Sequence, residues 1–429
     1  MVDLQGKSIS LIGFGVSSQA MCRYLTSKSI PFVIRCEREC VLPKGVPFVC
    51  GNDYLDTKED VVFRSPGVHP DKIKGKGEVY TESVFALSLS PSFKIGVTGS
   101  DGKTTTSTLI HQMLCKGGKN AFLCGNIGYP VVDLLNKTSK GDYLVAELSS
   151  FQLMGAKPPL DIAAVTNVSE NHLDYHKDMD EYICAKENIV KNASLAVLNY
   201  DDSVVRAFYA KKTIYFSLGD RRDLVKRGLS FVHIVNGYIW LDSEVLFPVS
   251  DILLRGDFNV QNVLCAIGCT YGIVGFEACH RVVRAFCGVG GRQEAVATIN
   301  GVTYVNSAID TTPNRTKNTL SAYPKEKTLA ILGGYDKNLS YDMLSDVLKD
   351  LKAVILCGEN RDKISKACKN RAITVNTIKE AVSVAQKIAN EGDFVVLSPA
   401  SASFDMFKNY KEKGKEFEAT VRNLNKEEI

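Results

Sequence analysis

Residues 96–105 carry the residues best suited to bind the phosphates of a nucleotide, in the order Gly-Val-Thr-Gly-Ser-Asp-Gly-Lys-Thr-Thr. A predicted strand leads into this segment and a predicted helix leaves it. Glycines let backbone N–H groups turn toward an anion, and the helix N-terminus adds positive potential. Lys103 can neutralise the outer phosphates and Thr104 can ligate Mg²⁺. Because Val97 stands where the strict motif has glycine, a plain glycine turn with a surface lysine is the alternative.

Glu147 ends a predicted interior strand over residues 143–146. A buried carboxylate is costly unless it is paired or bound to metal, and strand C-termini face the ligand crevice of an α/β sheet. A Mg²⁺ ligand and a salt-bridged structural glutamate are therefore both compatible with this position. His172, Asp174 and His176 follow another strand and leave the same two possibilities open. The spacing around Lys186 indicates only an ordinary helix lysine.

The turn Gly13-Phe14-Gly15-Val16-Ser17-Ser18 resembles a dinucleotide fingerprint, although Ser18 replaces its third glycine. Arg35 stands where an Asp or Glu would hold the ribose, which argues against a nicotinamide cofactor. A diphosphate group remains compatible with this turn.

The elements that must position these residues repeat three times as strand, glycine turn and helix, which predicts an α/β chain with mostly parallel sheets. Linkers are predicted at residues 88–92 and 288–291, and an antiparallel insert at 213–253. Helices are predicted at 260–270, at 276–286 and from residue 404 to the end. Strands are predicted at 9–12, 32–34, 61–63, 93–97, 143–146, 162–165, 195–198, 329–332, 353–356 and 394–397.

Composition restricts the class of protein. The 429 residues are 45% hydrophobic and 23% charged, as in a soluble protein of two or three domains. The net charge of +4 includes no dominant basic run, so nucleic-acid binding is not indicated. The 13 cysteines are odd in number and scattered, which indicates free thiols in a reducing compartment. Neither close pair, Cys36 with Cys40 or Cys265 with Cys269, has a second pair at zinc-like spacing, so a zinc site is not expected. No signal peptide or apolar stretch of about 18 residues is visible, so we expect a cytoplasmic protein without a membrane segment.

These segments, in this order, resemble the Mur ligase family of peptidoglycan synthesis over essentially the whole chain. The phosphate loop, the segment Glu-Leu-Ser-Ser-Phe-Gln at 147–152, the turn at 125–128 and Asn-His-Leu-Asp at 171–174 carry the resemblance. The runs Gly-Gly-Tyr-Asp-Lys at 333–337 and Leu-Ser-Pro-Ala-Ser-Ala-Ser-Phe-Asp at 397–405 resemble the D-glutamate-adding branch.

The resemblance implies three domains: residues 1–91 for the uridine-diphosphate substrate, 92–289 for ATP and magnesium, and 290–429 for the amino acid. The first and third would be Rossmann-like and the second like a P-loop ATPase. It implies ATP-dependent ligation of D-glutamate to UDP-N-acetylmuramoyl-L-alanine through an acyl phosphate, by a monomer. Lys186 would be carbamylated, and two Mg²⁺ would be bound.

The residues implied by position form four sets. The catalytic residues are Lys103, Glu147, His172 and Lys186, and the metal ligands are Thr104, Glu147, His172 and Lys186. ATP would be bound by Gly99, Ser100, Asp101, Gly102, Lys103, Thr104, Thr105, Asn259, Asn262 and Arg292. The uridine substrate would be bound by Gly15, Ser17, Ser18, Ser65, Gly67, Asn126 and Gln152. D-glutamate would be bound by Thr311, Lys337, Ser403 and Tyr410.

Five positions depart from the family pattern: Arg35, Phe258, Gly291, Ser307 and Ser401. Most of them are nucleotide-binding positions, so weaker nucleotide affinity is expected more than loss of chemistry. Two alternatives follow. One is a Mur-like or folylpolyglutamate-type ligase with a different acceptor, and the other is a catalytically reduced paralogue.

Overall fold

The computed structural model of the chain describes residues 4–368 and 372–424. Three β-sheets follow one another along the chain. The chain folds into two compact units: unit 1 comprises Met1–Asp251 and Val260–Arg284, and unit 2 comprises Ile252–Asn259 and Ala285–Ile429. The predicted α/β class with mostly parallel sheets is confirmed. The domain limits after residues 91 and 289 stay predictions.

The first sheet, in unit 1, has five parallel strands in the order β3-β2-β1-β4-β5. Strands β2 and β3 extend the sheet on one side of β1, and β4 and β5 extend it on the other side. A crevice is therefore expected where β1 and β4 end. All four residues of β1 are buried, as expected for a parallel strand covered on both faces. The elements are β1 Ile9–Ile12, α1 Val16–Ser27, β2 Val33–Cys36, β3 Phe48–Cys50, β4 Val61–Arg64, β5 Glu78–Tyr80 and α2 Glu82–Leu89.

The second sheet, also in unit 1, has nine strands in the order β14-β13-β12-β11-β10-β9-β6-β8-β7. Only β12, β13 and β14 pair antiparallel. Strand β6 lies between β9 and β8, so the loop that follows it lies at the point where the strand order reverses. The strands are β6 Phe93–Thr98, β7 Ala121–Gly125, β8 Tyr143–Glu147, β9 Leu160–Val165, β10 Ala193–Asn199, β11 Thr213–Phe216, β12 Ser230–Val235, β13 Tyr238–Leu241 and β14 Glu244–Pro248. The helices are α3 Lys103–Lys116, α4 Ser150–Leu153, α5 Met179–Glu187, α6 Ser203–Arg206, α7 Arg222–Lys226 and α8 Asp257–Val283.

Helix α8 joins the two predicted helices of this region across a kink at Gly275, whose φ is 73°. By length and hydropathy alone it is the one helix in the described residues that could cross a membrane, but 56% of its most apolar window is buried in the protein. Burial of this kind is typical of a core helix.

The third sheet, in unit 2, has the order β15-β16-β20-β17-β18-β19, with only β15 and β16 antiparallel. The elements are β15 Glu294–Ile299, β16 Val302–Asn306, α9 Pro313–Ser321, β17 Thr328–Leu332, α10 Ser345–Leu348, β18 Ala353–Leu356, α11 Arg361–Ala367, β19 Ile373–Thr374, α12 Ile378–Ile388, β20 Phe394–Leu397 and α13 Tyr410–Leu424.

Three expectations about elements need correction. The antiparallel insert predicted at 213–253 is confirmed for β12, β13 and β14, but β11 pairs parallel with both of its neighbours, since the very short helices α6 and α7 provide the crossovers. The first linker begins later than predicted because α2 extends to Leu89. The last helix begins at Tyr410 and not near residue 404, and the predicted part of it beyond residue 424 lies outside the described residues.

Candidate functional site

The loop between β6 and α3 has a backbone that only glycine can follow at two positions. Gly99 has φ of 151°, and a Cβ there would lie 1.8 Å from Thr166 Oγ1. Gly102, the residue before α3, has φ of 80°, and its Cβ would lie 2.2 Å from Asn262 Oδ1. The two glycines therefore allow β9 and α8 to approach the loop closely.

Side chains from the strand end at β9 and from α5 hold this loop in place. Thr166 Oγ1 donates to the Asp101 carbonyl at 2.6 Å, and Asn167 Oδ1 accepts from the Asp101 amide at 2.9 Å. Ser100 Oγ lies 2.9 Å from the Tyr182 hydroxyl. The loop is thus fixed by the protein itself, as a phosphate cradle must be.

Two lysines converge on the same carbonyl oxygen. Lys103 Nζ donates to the carbonyls of Gly99 and Ser100 at 2.8 and 2.9 Å. Lys186 Nζ donates to the Gly99 carbonyl at 2.7 Å and lies 4.6 Å from the centre of the Tyr182 ring. Lys103 therefore lies where the sequence predicted it, and Lys186, ordinary by spacing, lies beside it.

Lys186 is 1% exposed. Burial holds the pKa of Lys186 well below its usual value, and the positive charge of Lys103 lowers it further, while Asp101 opposes the shift. A buried amine in this environment is available in the neutral form that carbamylation requires, since the neutral nitrogen is the nucleophile toward CO₂.

A second cluster lies where β8 ends. Glu147 is 1% exposed, and its two carboxylate oxygens accept from Thr104 Oγ1 at 2.7 Å and from Asn126 Nδ2 at 2.8 Å. Strand β8 lies between β6 and β7, as the interior placement of this glutamate predicted. The carboxylate has no cationic partner within salt-bridge distance among the described residues, which favours the metal-ligand interpretation over a structural salt bridge.

The two histidines after β9 have different surroundings. His172 is exposed, has φ of 57°, and its ring centre lies 6.5 Å from that of Tyr182, the residue over which Lys186 lies. His176 is buried, with Nε2 2.9 Å from Ser150 Oγ and Nδ1 3.5 Å from Glu181. His172 is thus the more exposed of the two, whereas His176 is held in the interior by Ser150 and Glu181.

The predicted uridine-substrate residues divide into two groups. Gly15 is the residue directly before α1, and Ser17 lies in the first turn of that helix. Ser18 Oγ lies 2.9 Å from Ser65 Oγ, and exposed Gly67 follows Ser65 by two residues. These residues meet where β1 and β4 end. Asn126 instead binds Glu147, and buried Gln152 caps α4 through Ser149 and donates to Ser83 Oγ at 3.0 Å. The side chains of Asn126 and Gln152 therefore already form hydrogen bonds within the protein.

The charge of Arg35, one of the positions that depart from the family pattern, is balanced by a nearby glutamate. Arg35 is 8% exposed and pairs with Glu59 at 2.8 Å between Nη2 and Oε1. Burial raises the pKa of Glu59, but its hydrogen bonds with Arg35 and the backbone outweigh this and lower it overall. The guanidinium is therefore held in a buried ion pair at the carboxyl end of β2.

The residues predicted to bind D-glutamate all lie in unit 2, and two of them lie on neighbouring segments. The amide of Gly333 donates to the Pro399 carbonyl at 2.9 Å, and the amide of Tyr335 donates to the Ala402 carbonyl at 2.8 Å. These bonds bring the segment of exposed Lys337 beside that of Ser403, whose buried Oγ lacks a hydrogen-bond partner among the described residues. Half-buried Tyr410 begins α13, and half-buried Thr311 lies just before α9.

Unit 2 also holds two of the predicted nucleotide residues. Asn259 Nδ2 donates to the Arg255 carbonyl at 2.8 Å and to Gln293 Oε1 at 3.3 Å, and the amide of Arg292 donates to the Val289 carbonyl at 2.8 Å. Asn262, in unit 1, accepts from Thr106 Oγ1 at 3.2 Å. Gly291 has φ of 71°, so glycine suits a position where the family usually has histidine.

Three residues of the site escaped the sequence analysis: Thr166, Asn167 and Tyr182. The available signal for Tyr182 was its position four residues before Lys186, which places both side chains on one face of α5. Thr166 and Asn167 directly follow β9, where ligand-crevice residues are expected.

Comparison with known proteins agrees with this architecture. Residues 97–270 match the Mur ligase middle domain, and residues 291–401 match the Mur ligase, glutamate ligase domain. The UDP-N-acetylmuramoylalanine–D-glutamate ligase of Clostridium tetani is 37% identical, with 98% of both chains covered. The enzyme of the same name from Ruminiclostridium cellulolyticum is 34% identical, again with 98% of both chains covered.

Solved structures share the fold at low sequence identity. The UDP-N-acetylmuramate–alanine ligase MurC of Thermotoga maritima has a TM-score of 0.61 at 17% identity, with 97% of this chain and 99% of that chain covered. The MurF ligase of Thermotoga maritima in complex with ADP has a TM-score of 0.57 at 16% identity, with 99% and 100% covered. With both domains matched and full-length relatives above 30% identity, the chain belongs to the Mur ligase family, in the group of the UDP-N-acetylmuramoylalanine–D-glutamate ligases.

Proposed function

We propose that this chain joins D-glutamate to UDP-N-acetylmuramoyl-L-alanine with cleavage of ATP, in the synthesis of peptidoglycan precursors. The observation that carries the proposal is the convergence of Lys103, Lys186 and the Thr104–Glu147 pair on one glycine loop. The names of the full-length relatives supply the two substrates. The thirteen free thiols fit a reducing cytoplasm.

The chemistry follows from charge. A carboxylate and the γ-phosphate of ATP repel each other, so the site must offset negative charge before the carboxylate can attack phosphorus. Lys103 holds its ammonium group in the loop, 2.8 Å from the Gly99 carbonyl, and the fixed backbone cradle adds N–H groups at the start of α3. Both are positioned before ATP arrives, so little reorganisation is needed.

The donor set at the end of β8 fits magnesium. Thr104 Oγ1 and Glu147 Oε2 are hard oxygen donors 2.7 Å apart, which Mg²⁺ prefers over nitrogen or sulfur. Lys186 as a free amine does not fit such an ion, whereas a carbamate formed from its neutral nitrogen and CO₂ would supply anionic oxygen donors. Bound Mg²⁺ would neutralise phosphate charge. We assign Thr104 and Glu147 to one ion, and His172 with carbamylated Lys186 to a second.

The second half of the reaction needs an amine. Attack on the acyl phosphate by the amino group of D-glutamate forms the amide bond and expels phosphate. Lys337, Thr311, Ser403 and Tyr410 are the residues that we assign to the D-glutamate carboxylates. The buried Ser403 Oγ supports this, since it has no hydrogen-bond partner in the described part of the chain and such a hydroxyl is costly unless a ligand completes its hydrogen bond.

The test is phosphate release from ATP by the purified chain with UDP-N-acetylmuramoyl-L-alanine, Mg²⁺ and bicarbonate. D-glutamate, L-glutamate, L-lysine or no amino acid is added in parallel. Release that requires both the uridine nucleotide and D-glutamate is the expected result. Release with a different amino acid would overturn the specificity, and absence of release with any acceptor would favour the catalytically reduced paralogue.

A further inference from the structure

Three cysteines meet at one edge of the first sheet. Cys36 is the last residue of β2, and it lies opposite Cys50 in the parallel pairing of β2 with β3. Cys40 follows in the loop after β2, with its Sγ 3.8 Å from the Sγ of Cys36. The sequence offered Cys36 and Cys40 only as a pair, and the fold adds the third thiol.

The two thiols in contact differ in their access to solvent. Cys36 is 7% exposed, whereas Cys40 and Cys50 are exposed. Burial raises the pKa of Cys36 to about 12, with further contributions from Cys40 and Cys50. Cys36 is thus a protonated thiol before oxidation, while exposed Cys40 can meet a soluble oxidant. An accessible thiol beside a second, resolving thiol is a common arrangement at redox-sensitive sites.

The geometry permits a bond between the two sulfurs. A disulfide requires a sulfur separation of about 2.05 Å, so the pair must close by somewhat less than 2 Å. Residues 37–40 belong to no helix or strand, so the loop can move without breaking a ladder. The other close pair, Cys265 and Cys269, is fully buried within α8, where an oxidant has no access.

We propose that Cys36 and Cys40 form a reversible disulfide when the protein meets a peroxide. The sulfur of Cys40 attacks one peroxide oxygen, the O–O bond breaks, and water leaves behind a sulfenic acid at Cys40. The sulfur of Cys36 then attacks the sulfur of Cys40, the S–O bond breaks, and the departing hydroxide takes the Cys36 proton to form a second water. Two thiols lose two electrons, and one hydrogen peroxide becomes two waters.

The consequence for activity rests on the proposed function. The carbonyl of Arg35, directly before Cys36, accepts from the amide of Gly13 at 2.8 Å, and Gly13 begins the turn assigned to the uridine substrate. A disulfide would restrain the chain at this contact. We expect the KM for the uridine nucleotide to rise by about tenfold, equivalent to one hydrogen bond to a charged group, with kcat little changed.

The sequence makes the linkage easy to read. Trypsin cuts after Arg35, Arg38, Lys44 and Lys58, so Cys36, Cys40 and Cys50 fall on three separate peptides. The reduced full-length protein is treated with stoichiometric hydrogen peroxide, alkylated with iodoacetamide, digested and analysed by mass spectrometry. The expected product is the peptide of Cys36 joined to that of Cys40, two hydrogens lighter than their sum, and dithiothreitol should separate them.

Variants complete the test. Cys40→Ser and Cys36→Ser should abolish the linked product, whereas Cys50→Ser and the control Cys115→Ser, an exposed cysteine on α3, should retain it. Linkage through Cys50, or oxidation of Cys40 and Cys115 to the same extent without any linked peptide, would overturn the proposal. The mass measurement does not depend on ligase turnover, so it stands even if the proposed function fails.

Discussion

At the residue scale, the two lysines on one carbonyl show what charge placement does in this site. Lys103 is only half-buried and sits in the loop, whereas Lys186 is almost wholly buried, and the positive charge of Lys103 further disfavours its charged form. The difference in burial is the basis on which we assign Lys103 to the phosphates of ATP and Lys186 to carbamylation.

Glu147→Gln tests the metal-ligand assignment. The amide keeps the size of the carboxylate but removes its charge, so we expect phosphate release to fall by roughly 100-fold or more and half-saturation by Mg²⁺ to rise. Steady-state rates across a Mg²⁺ titration measure both.

Asp242→Asn provides the matched control for this substitution. Asp242 accepts from the Phe231 amide at 2.7 Å in the β12–β13 hairpin, outside the assigned sites. It should keep wild-type rates. Equal losses in the two variants would show that any lost carboxylate harms the protein and would remove Glu147 from the metal site.

Sequence reasoning at this scale located residues that can be found from their position at the end of a strand. Lys103 and Thr104 come after β6 and Glu147 ends β8, and strand ends predict a crevice, while the roles of these residues stay predictions. Tyr182 could not be found in the same way, because an aromatic residue at helix spacing is typical of a core. Its decisive contact, with Ser100, joins residues 82 positions apart, and only the fold brings them together.

At the element scale, the phosphate loop depends on the backbone more than on its side chains. Gly99→Ala should lower the free energy of unfolding by about 1–3 kcal/mol and weaken ADP binding strongly, because the added Cβ meets Thr166 Oγ1 and the backbone must leave its positive φ. Denaturant unfolding and ADP titration measure the two effects. Gly141→Ala, where the Cβ meets nothing within 4 Å, should change neither. Wild-type ADP affinity in Gly99→Ala would contradict the cradle.

Helix α2 carries a buried carboxylate that should make stability depend on pH. Glu82 accepts from the Val132 amide at 2.7 Å, and burial raises its pKa to about 7 from a model-peptide value near 4.5. Between these values the folded state binds more protons than the unfolded state, so this group lowers stability as pH rises from about 4.5 to 7.

Glu82→Gln should remove that dependence. We expect equal stability near pH 4 and a gain of roughly 3 kcal/mol at most near pH 8, measured by urea unfolding across pH. Glu326→Gln, an exposed glutamate, should keep the wild-type profile. If the difference in unfolding free energy between Glu82→Gln and wild type were no larger at pH 8 than at pH 4, the raised pKa of Glu82 would be contradicted.

Element prediction failed where helices were too short to show a period. Helices α6 and α7 have four and five residues, so the parallel pairing of β11 had no visible crossover. The start of α13 was misplaced because residues 404–409 mix apolar and polar side chains as an amphipathic helix does. The amide of Phe407 instead closes a single turn on the Ser403 carbonyl at 2.8 Å. The long, apolar strands were predicted to within a few residues.

At the scale of the whole molecule, the chain forms three sheets but two compact units. Three strand–glycine–helix repeats predicted the sheets, because each repeat has its own apolar strands. Grouping them into units requires contacts between elements, such as Arg64 Nη2 with the Phe151 carbonyl at 2.7 Å, which joins the first two sheets and has no local signal.

We expect calorimetry to resolve two unfolding transitions, because compact units with separate cores tend to unfold separately. The uridine nucleotide, assigned to unit 1, should stabilise only one of them, by about 2.7 kcal/mol at 100 times its Kd. A single transition that shifts as a whole with the nucleotide would show that the units unfold as one.

The chain passes between the units three times, after residues 251, 259 and 284. The eight residues Ile252–Asn259 belong to unit 2 although they precede the last part of unit 1, and the Arg255 guanidinium lies 4.5 Å from the centre of the Phe394 ring. Exchange of unit 2 between related ligases by recombination therefore requires more than one crossover point if this packing is to be kept. A chimera fused only at residue 285 would carry a foreign eight-residue segment against Phe394, so recombination that preserves packing must replace two stretches of the gene together.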